Sequence, residues 1–170
     1  DPAMADNGKL YPGFDGAYVD AMKALCAKAD FVVPNITESC FLTGMEYKTQ
    51  YDEAYIDAML EKLTALGCKN IILTGVSYRC GYTGILVLEN GVKQYYEHEM
   101  LPNSCHGTGD LFAAVMAGGL VRGLTAQQSG SLAMELIRRA ILTTGEDSRW
   151  GVAFEPHLGW LAGAVEERIG

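Results

Sequence analysis

The chain has 170 residues, of which 49% are apolar and 20% are charged, and its formal net charge is −8. This composition is typical of a folded globular domain and excludes an intrinsically disordered chain. The negative charge disfavours binding to nucleic acid or to an anionic membrane surface. An anionic ligand would therefore need a local site made of backbone N–H groups, a metal ion or a few basic side chains.

The five cysteines are odd in number, and no two have the C-x-x-C spacing, so a disulfide framework or a zinc ribbon is disfavoured. The sequence has no apolar run of about 20 residues, so we predict no membrane span. Reduced thiols and the lack of a visible signal peptide predict a cytoplasmic protein. The first residues look like one motif that does not begin with an initiator methionine. We therefore expect part of the protein to precede this chain.

Apolar periodicity and turn residues predict helices that alternate with short strands. The predicted helices cover residues 12–29, 35–44, 51–66, 108–122, 125–143 and 156–168. The predicted strands cover residues 30–34, 70–75, 85–88 and 92–96, and residues 99–106 form a polar loop. This order predicts an α/β fold in which helices flank a mostly parallel sheet.

Local signals refine several of these elements. Asn35 and Glu38 form a capping box at the start of a helix, and Asn90-Gly91 is the tight turn of a hairpin. Two apolar stripes are predicted to face the core. They consist of Ala17, Ala21, Ala24 and Leu25 on the first helix, and of Tyr55, Met59, Leu63 and Leu66 on the third.

The segment Gly-Thr-Gly-Asp at 107–110 begins a helix rich in small residues. Its glycines allow a ligand to approach the backbone closely, and the free N–H groups and the helix dipole would form an anion site. Asp110 would then be an ionised carboxylate beside a bound anion. Taken alone, the segment favours a simpler interpretation, in which Thr108 caps the helix and Asp110 complements the dipole.

Three other places carry candidate ligands. Asp1 and Asp6 lie in one loop and could hold Mg²⁺, although the loop is equally well interpreted as a surface turn. Thr74 and Gly75 end a strand, where ligands bind in open α/β sheets. The three histidines share no metal-ligand spacing and are interpreted as ordinary surface or loop residues.

Four stretches together resemble the ordered motifs of the ribokinase superfamily. They are DPAMADNGKLY at 1–11, VPNITE at 33–38, ILTG at 72–75 and GTGDLFAAVMAG at 107–118. The first is most similar to the pyridoxal kinases. The resemblance implies a ribokinase-like three-layer sandwich with a mostly parallel central sheet. Residues 1–170 would be the C-terminal, nucleotide-binding portion of a single domain, and the N-terminal portion with the substrate contacts and lid would lie outside this chain.

The resemblance also implies an activity, the ATP-dependent phosphorylation of the hydroxymethyl group of pyridoxal, pyridoxine or pyridoxamine. ATP and Mg²⁺ are the implied cofactors, with a monovalent cation as a further candidate. The implied protein is a cytoplasmic homodimer that binds neither nucleic acid nor membranes. We expect this chain by itself to be inactive.

The resemblance assigns roles to individual residues. Asp110 is the implied general base, and the implied anion hole consists of Gly107, Thr108 and Gly109. The adenine would lie against the loop before Cys105 and the last two helices. The implied ATP and phosphate contacts are Asn35, Thr74, Gly75 and Asp6, and the implied metal and water network consists of Asp1, Asp6 and Glu38.

The chain departs from the family pattern at two positions, and other functions stay open. Ala5 replaces a usual glycine, and Val33 replaces a threonine that could supply a hydroxyl ligand to the cation site. The nearest alternative is a hydroxymethylpyrimidine kinase, although those relatives commonly have cysteine at the position of Asp110. A sugar kinase is disfavoured by the DNGKLY stretch, and a non-catalytic regulatory domain is disfavoured by the intact Gly-Thr-Gly-Asp segment.

Overall fold

The computed structural model describes residues 1–101, 105–145 and 151–170. They divide into two compact units, residues 1–98 and residues 99–170. All five cysteines are free thiols, and only Cys80 is exposed. None of the helices in the described ranges is both long and apolar enough to cross a membrane.

The first unit contains short strands and three helices that precede a longer hairpin. The elements in chain order are β1 (Ala5–Asp6), β2 (Lys9–Leu10), α1 (Gly16–Cys26), β3 (Phe31–Val32), α2 (Ile36–Thr43), α3 (Glu53–Leu66), β4 (Asn70–Val76), β5 (Tyr82–Glu89) and β6 (Val92–Glu99). The predicted helices and strands are thus present, with α1 shorter and β5 and β6 longer than predicted. The β1–β2 pair is the one element of this unit that we did not predict.

The main sheet is mixed, so the prediction of a mostly parallel sheet is wrong for the described strands. Its order is β3-β4-β5-β6, with β3 parallel to β4 and β4 antiparallel to β5. A parallel pair needs a crossover of about a dozen residues, and residues 77–81 are too few for one. The predicted Asn90-Gly91 turn is confirmed, and both residues have positive φ.

Helices α1, α2 and α3 share one hydrophobic core with the sheet. Ile71 and Leu73 of β4 are two residues apart, so they point to the same face, and both belong to this core. Buried core residues from the helices include Val19, Cys26, Ile36, Cys40, Ile56, Met59 and Leu63. The first unit therefore provides a helical layer and a sheet layer, and the third layer of the sandwich remains a prediction.

The buried stripe of α1 differs from the predicted one. Val19 and Cys26 are buried and Met22 is half-buried between them, whereas Leu25 is 63% exposed. Both stripes have helical spacing, so periodicity alone could not select between them. The larger side chains remove more apolar surface from water than alanines do, which explains the outcome. The exposed residues of the predicted stripe are Ala17, Ala21, Ala24 and Leu25.

The predicted face of α3 is confirmed at its centre. Met59 and Leu63 are fully buried, and Ile56 and Leu60 complete the face. Tyr55 and Leu66 at its ends are half-buried.

The second unit is helical. It contains α4 (Thr108–Val121), α5 (Ala126–Thr143), a short 3-10 helix (Glu155–His157) and α6 (Leu158–Ile169). Thr125 and Gln128 form the capping box that begins α5. Helices α4 and α5 pack closely, because a Cβ atom on Gly119 would lie 2.9 Å from Cβ of Ser129. Part of the predicted loop 99–106, residues 102–104, lies outside the described residues.

Candidate active site

The loop that contains Asp6 folds into a tight hairpin. Asp6 pairs with Lys9 across β1 and β2, and Asn7 and Gly8 form the turn. Both turn residues have positive φ, 50° for Asn7 and 76° for Gly8, as a type I′ turn requires. The Asn-Gly dipeptide is the strongest short hairpin signal, so the sequence did contain the information that the surface-turn interpretation missed.

The hairpin presents the Asp6 carboxylate to solvent in a fixed orientation. Its Oδ1 accepts a hydrogen bond from the Asn7 backbone N–H at 2.8 Å, and its Oδ2 accepts one from Nδ2 of Asn7 at 2.9 Å. Each oxygen has a second lone pair, so the carboxylate can still bind a cation. Asp1 is also exposed.

Glu38 is buried and binds the backbone of two different segments. It is 3% exposed. Its Oε1 accepts from the Met4 N–H at 3.2 Å, and its Oε2 accepts from the Asn35 N–H at 2.8 Å. Burial raises the pKa of the Glu38 carboxyl above its ordinary value, and the hydrogen bonds from backbone N–H groups partly offset that shift. The predicted capping box is confirmed, and the carboxylate also ties the first loop to α2.

Asn35 connects the hairpin to the main sheet. Its Oδ1 accepts from the Glu38 N–H at 2.8 Å, and its Nδ2 donates to the Ala5 carbonyl at 2.9 Å. Asn35 also pairs in parallel with Thr74, whose N–H donates to the Pro34 carbonyl at 2.9 Å. The structure therefore brings together the first loop, the start of α2 and the carboxyl end of β4.

The carboxyl end of β4 is a bulge. The register of β4 against β5 shifts between Thr74 and Val76, and Gly75 has φ of 72°. A Cβ atom on Gly75 would meet nothing within 4 Å, so the space beside this strand end is open. The bulge leaves the Gly75 backbone accessible at the edge of the sheet where α/β proteins bind ligands.

Two residues that the sequence did not single out hold the hairpin. The Thr37 hydroxyl accepts a hydrogen bond from the Gly8 N–H at 3.1 Å. The Tyr47 ring packs so closely that a Cβ atom on Gly8 would lie 2.7 Å from one of its carbons. These contacts join residues far apart in the chain, so local patterns contain no signal for them.

In the second unit, α4 begins with an open N-terminus. Gly107 is the N-cap in the left-handed conformation, with φ of 84°, and no side chain caps the helix. The first intrahelical bond runs from the Leu111 N–H to the Gly107 carbonyl, which leaves the N–H groups of residues 108–110 without partners in the helix. The interpretation of Thr108 as the cap is wrong, because its hydroxyl is directed to the Cys105 carbonyl at 3.5 Å.

Four other helix starts are closed by side chains, whereas α6, which directly follows the 3-10 helix, has no side-chain cap. Helices α1, α2, α3 and α5 have side-chain caps, which are Asp15, Asn35, Asp52 and Thr125. Among the described residues no side chain caps α4, so its N-terminus retains partial positive charge and N–H groups without partners in the helix, and both attract an anion. Gly109 has open space where a Cβ would lie, and the Asp110 carboxylate is exposed in the first turn.

The residues before α4 are held by the segment that precedes α6. The Val152 N–H donates to the His106 carbonyl at 3.2 Å, and Val152 packs with Cys105 and Ala140 in a buried cluster. The buried Thr144 hydroxyl accepts from the Ala153 N–H at 2.9 Å. The end of α5 thereby braces the turn that contains Gly107. The predicted adenine contacts before Cys105 fall partly on residues 102–104, which lie outside the described residues.

The described residues contain no group of three or more His, Cys, Asp or Glu side chains arranged to hold a metal ion. A dedicated all-protein metal site is therefore not formed by this part of the chain. The exposed carboxylates of Asp6 and Asp1 fit a different arrangement, in which Mg²⁺ takes one or two carboxylates and its other ligands from phosphates and water.

Comparison with known proteins identifies the class. Residues 1–153 match the family model of phosphomethylpyrimidine kinase. The crystal structure of pyridoxal kinase from Lactobacillus plantarum is 34% identical, with a TM-score of 0.83, over 98% of this chain and 61% of that protein. Pyridoxal kinase from Dictyostelium discoideum is 27% identical in an alignment of 133 positions, which covers 72% of this chain and 43% of that protein.

A third relative comes from thiamine biosynthesis. The bifunctional protein ThiED of Geobacter sulfurreducens is 28% identical over 142 residues, which are 83% of this chain and 28% of that protein. The chain thus spans less than two thirds of the length of each of these relatives. The fold and the motifs are those of the ribokinase-like class. Within this class, the chain belongs to the phosphomethylpyrimidine kinase family, and its resemblance to pyridoxal kinases is confirmed.

Proposed function

We propose that the protein containing this chain transfers the γ-phosphoryl group of ATP to the hydroxymethyl group of pyridoxal, pyridoxine or pyridoxamine. The observation that carries the proposal is the uncapped N-terminus of α4, with Gly107 in the left-handed conformation and the Asp110 carboxylate exposed in the first turn. The chain belongs to a family of kinases, and kinases transfer a phosphoryl group, which is negatively charged. We therefore propose that the phosphoryl group of ATP binds at this helix start.

The open helix start supplies what phosphoryl transfer needs. The transition state is loose, so catalysis consists mainly of positioning and of stabilising charge on the phosphoryl oxygens. The N–H groups of residues 108–110 would donate to those oxygens, and Gly109 has no side chain to obstruct them. A single such donor is worth about 3 kcal/mol in comparable oxyanion sites.

Asp110 is the proposed general base. It would accept the proton of the attacking hydroxymethyl group, as a carboxylate does in other phosphoryl transfers. Asp110 is exposed and makes no hydrogen bond or ion pair that would occupy it among the described residues. Its place at the third helical position keeps the carboxylate in the positive field of the helix end.

In the first unit, Asp6 is the proposed ligand of Mg²⁺, and Asp1 and Glu38 belong to its water network. When bound, the metal neutralises charge on the ATP phosphates. Asn35, Thr74 and Gly75 are the proposed phosphate contacts, supported by the hydrogen bonds that gather these segments at the carboxyl end of β4. A monovalent cation and a homodimer also remain proposals.

A second candidate is phosphorylation of a hydroxymethylpyrimidine. The description of the family and the similarity to the thiamine protein favour it. Asp110 favours the pyridoxal reaction, because the pyrimidine kinases that the sequence resembles commonly have cysteine there. The two candidates share the nucleotide chemistry and differ in the alcohol acceptor.

The test is to express the full reading frame and to measure ATP-dependent phosphorylation of pyridoxal, hydroxymethylpyrimidine and ribose side by side. We expect pyridoxal to give the highest kcat/KM. We also expect Asp110→Asn to bind ATP normally and to lose turnover by a factor of about 10² or more, the usual contribution of a general base.

Asp15→Asn is the matched control for Asp110→Asn. It makes the same change at another exposed helix start, and asparagine still caps α1, so its activity should equal that of the wild type. Wild-type turnover in Asp110→Asn would rule out the assignment of the base. ATP binding without phosphorylation of any of the three acceptors would favour a regulatory nucleotide-binding domain.

A further inference from the structure

One side chain bonds both sides of the bulge that ends β4. The Tyr51 hydroxyl donates to the Gly75 carbonyl at 3.2 Å and accepts from the Ser77 N–H at 3.1 Å. Tyr51 precedes α3 and is 24 residues away from Gly75 in the chain. The hydroxyl thus spans the end of the strand and fixes the backbone on both sides of Val76.

The bulge needs such a partner. A bulge disrupts the hydrogen bonds between neighbouring strands, and the register of β4 against β5 shifts at this point. A hydroxyl can donate and accept at once, so Tyr51 can bond the carbonyl of Gly75 and the N–H of Ser77 together. Phenylalanine would keep the ring and lose both bonds.

The Tyr51 ring is itself held in place. It stacks on Tyr55 with 5.6 Å between ring centroids and meets Tyr78 edge-on at 6.5 Å. It also directly precedes Asp52, the N-cap of α3, which restricts its backbone. Burial raises the pKa of the Tyr51 hydroxyl above its ordinary value. A tyrosine hydroxyl is protonated at neutral pH even at its ordinary pKa of about 10, so Tyr51 can donate to Gly75.

We propose that Tyr51 is a positioning residue for the nucleotide phosphates. It sets the conformation of the strand end at Thr74 and Gly75, and through that backbone it sets the affinity for ATP. The inference rests on the proposed function, in which Thr74 and Gly75 contact the phosphates. Tyr51 acts through two backbone hydrogen bonds, one to the Gly75 carbonyl and one from the Ser77 N–H.

The alternative is that Tyr51 only stabilises the fold as one member of an aromatic cluster. Tyr55 belongs to the same cluster and makes a comparable bond, from its hydroxyl to the Glu46 carbonyl at 2.6 Å. That bond lies away from the strand end. Tyr55→Phe is therefore the matched control, because it removes a tyrosine hydroxyl from the same cluster without altering the bulge.

The experiment compares Tyr51→Phe, Tyr55→Phe and the wild type, each expressed from the full reading frame. KM is measured separately for ATP and for pyridoxal, the Kd of Mg²⁺-ADP is measured by calorimetry, and hydrogen exchange is followed in the peptide that contains Ser77. For Tyr51→Phe we expect KM for ATP and Kd for ADP to rise about fivefold, corresponding to about 1 kcal/mol. KM for pyridoxal should stay unchanged, and exchange at Ser77 should accelerate.

Each outcome decides the proposal. An unchanged KM and Kd in Tyr51→Phe, or equal increases in Tyr55→Phe, would overturn the positioning role and leave the proposed kinase function intact. Nucleotide binding that weakens in Tyr51→Phe, in a protein that phosphorylates no acceptor, would support the positioning role and contradict the kinase function. A wild-type protein that binds no nucleotide would overturn both.

Discussion

Glu38, a residue of the predicted metal network, has a structural role in the described residues. Its two carboxylate oxygens accept the N–H groups of Met4 and Asn35, so the residue joins the loop before the β1–β2 hairpin to the start of α2. Asn35 adds a second link through the Ala5 carbonyl. The position of Asp6 at the proposed phosphate site therefore depends on Glu38.

We expect Glu38→Gln to lower the free energy of unfolding by about 1–3 kcal/mol at pH 7, because the amide NH₂ must face a backbone N–H and leaves one buried donor without an acceptor. Burial raises the pKa of Glu38 in the folded state. Its contribution to stability is therefore full below its unfolded pKa of about 4.3 and declines as the pH rises through the folded pKa. Urea denaturation between pH 4 and 8 measures both effects.

The variant should lack this pH-dependent decline, since glutamine does not titrate. Glu61→Gln, on the exposed face of α3, is the control and should follow the wild type at every pH. Identical pH profiles for Glu38→Gln and the wild type would contradict the raised pKa of Glu38.

At the level of elements, the close packing of α4 on α5 holds the helix whose N-terminus is the proposed phosphate site. Gly119 of α4 lies against Ser129 of α5, and neither residue leaves room for a further atom at the contact. The Ser129 Oγ is buried and has no hydrogen-bond partner among the described residues. The contact between the two helices is therefore a van der Waals contact. A larger residue than glycine at position 119 would clash with Ser129.

Gly119→Ala should destabilise the protein by about 1–3 kcal/mol, the usual cost of overpacking. Gly118→Ala is the matched control, because its Cβ would meet nothing within 4 Å. Alanine at that exposed helical position should be neutral or stabilising by up to about 1 kcal/mol. Thermal denaturation of the two variants measures the difference, and equal Tm values would show that α4 and α5 do not pack as closely as described.

At the scale of the whole molecule, the net charge of −8 opposes the binding of a polyphosphate. The open N-terminus of α4 and the exposed Asp6 carboxylate would each allow a phosphate to bind despite this negative charge, but by different means. The helix end offers N–H donors and partial positive charge, whereas Asp6 requires a cation between itself and a phosphate. ATP binding should therefore depend strongly on the metal.

We expect Mg²⁺-ATP at 100 times its Kd to stabilise the protein expressed from its full reading frame by about 2.7 kcal/mol, which raises Tm by several degrees. Removal of the metal with EDTA should abolish most of this shift, because free ATP brings uncompensated negative charge to the exposed Asp6 carboxylate. Differential scanning calorimetry measures the shift, with Mg²⁺-AMP as the control nucleotide. An equal shift in EDTA would contradict the proposed role of Mg²⁺.

The sequence by itself determined the elements that depend on local chemistry. The capping box of Asn35 and Glu38, the Asn90-Gly91 turn and the bounds of α5 were predictable, because each depends on residues a few positions apart. The four motifs, taken together, also identified the family. The Gly-Thr-Gly-Asp segment alone favoured an ordinary helix start, whereas the four motifs together indicated a kinase family.

The tertiary structure alone decided which of two equally periodic stripes α1 buries, and that the sheet is mixed. It also decided that Gly107, and not Thr108, forms the N-cap of α4, which leaves that helix end open. The links from Glu38 to Met4 and from Tyr51 to the bulge at Gly75 could not be predicted, since they join residues 34 and 24 positions apart. Local propensity acts over one or two helical turns, whereas burial and backbone hydrogen bonding between segments are fixed only when the chain has folded.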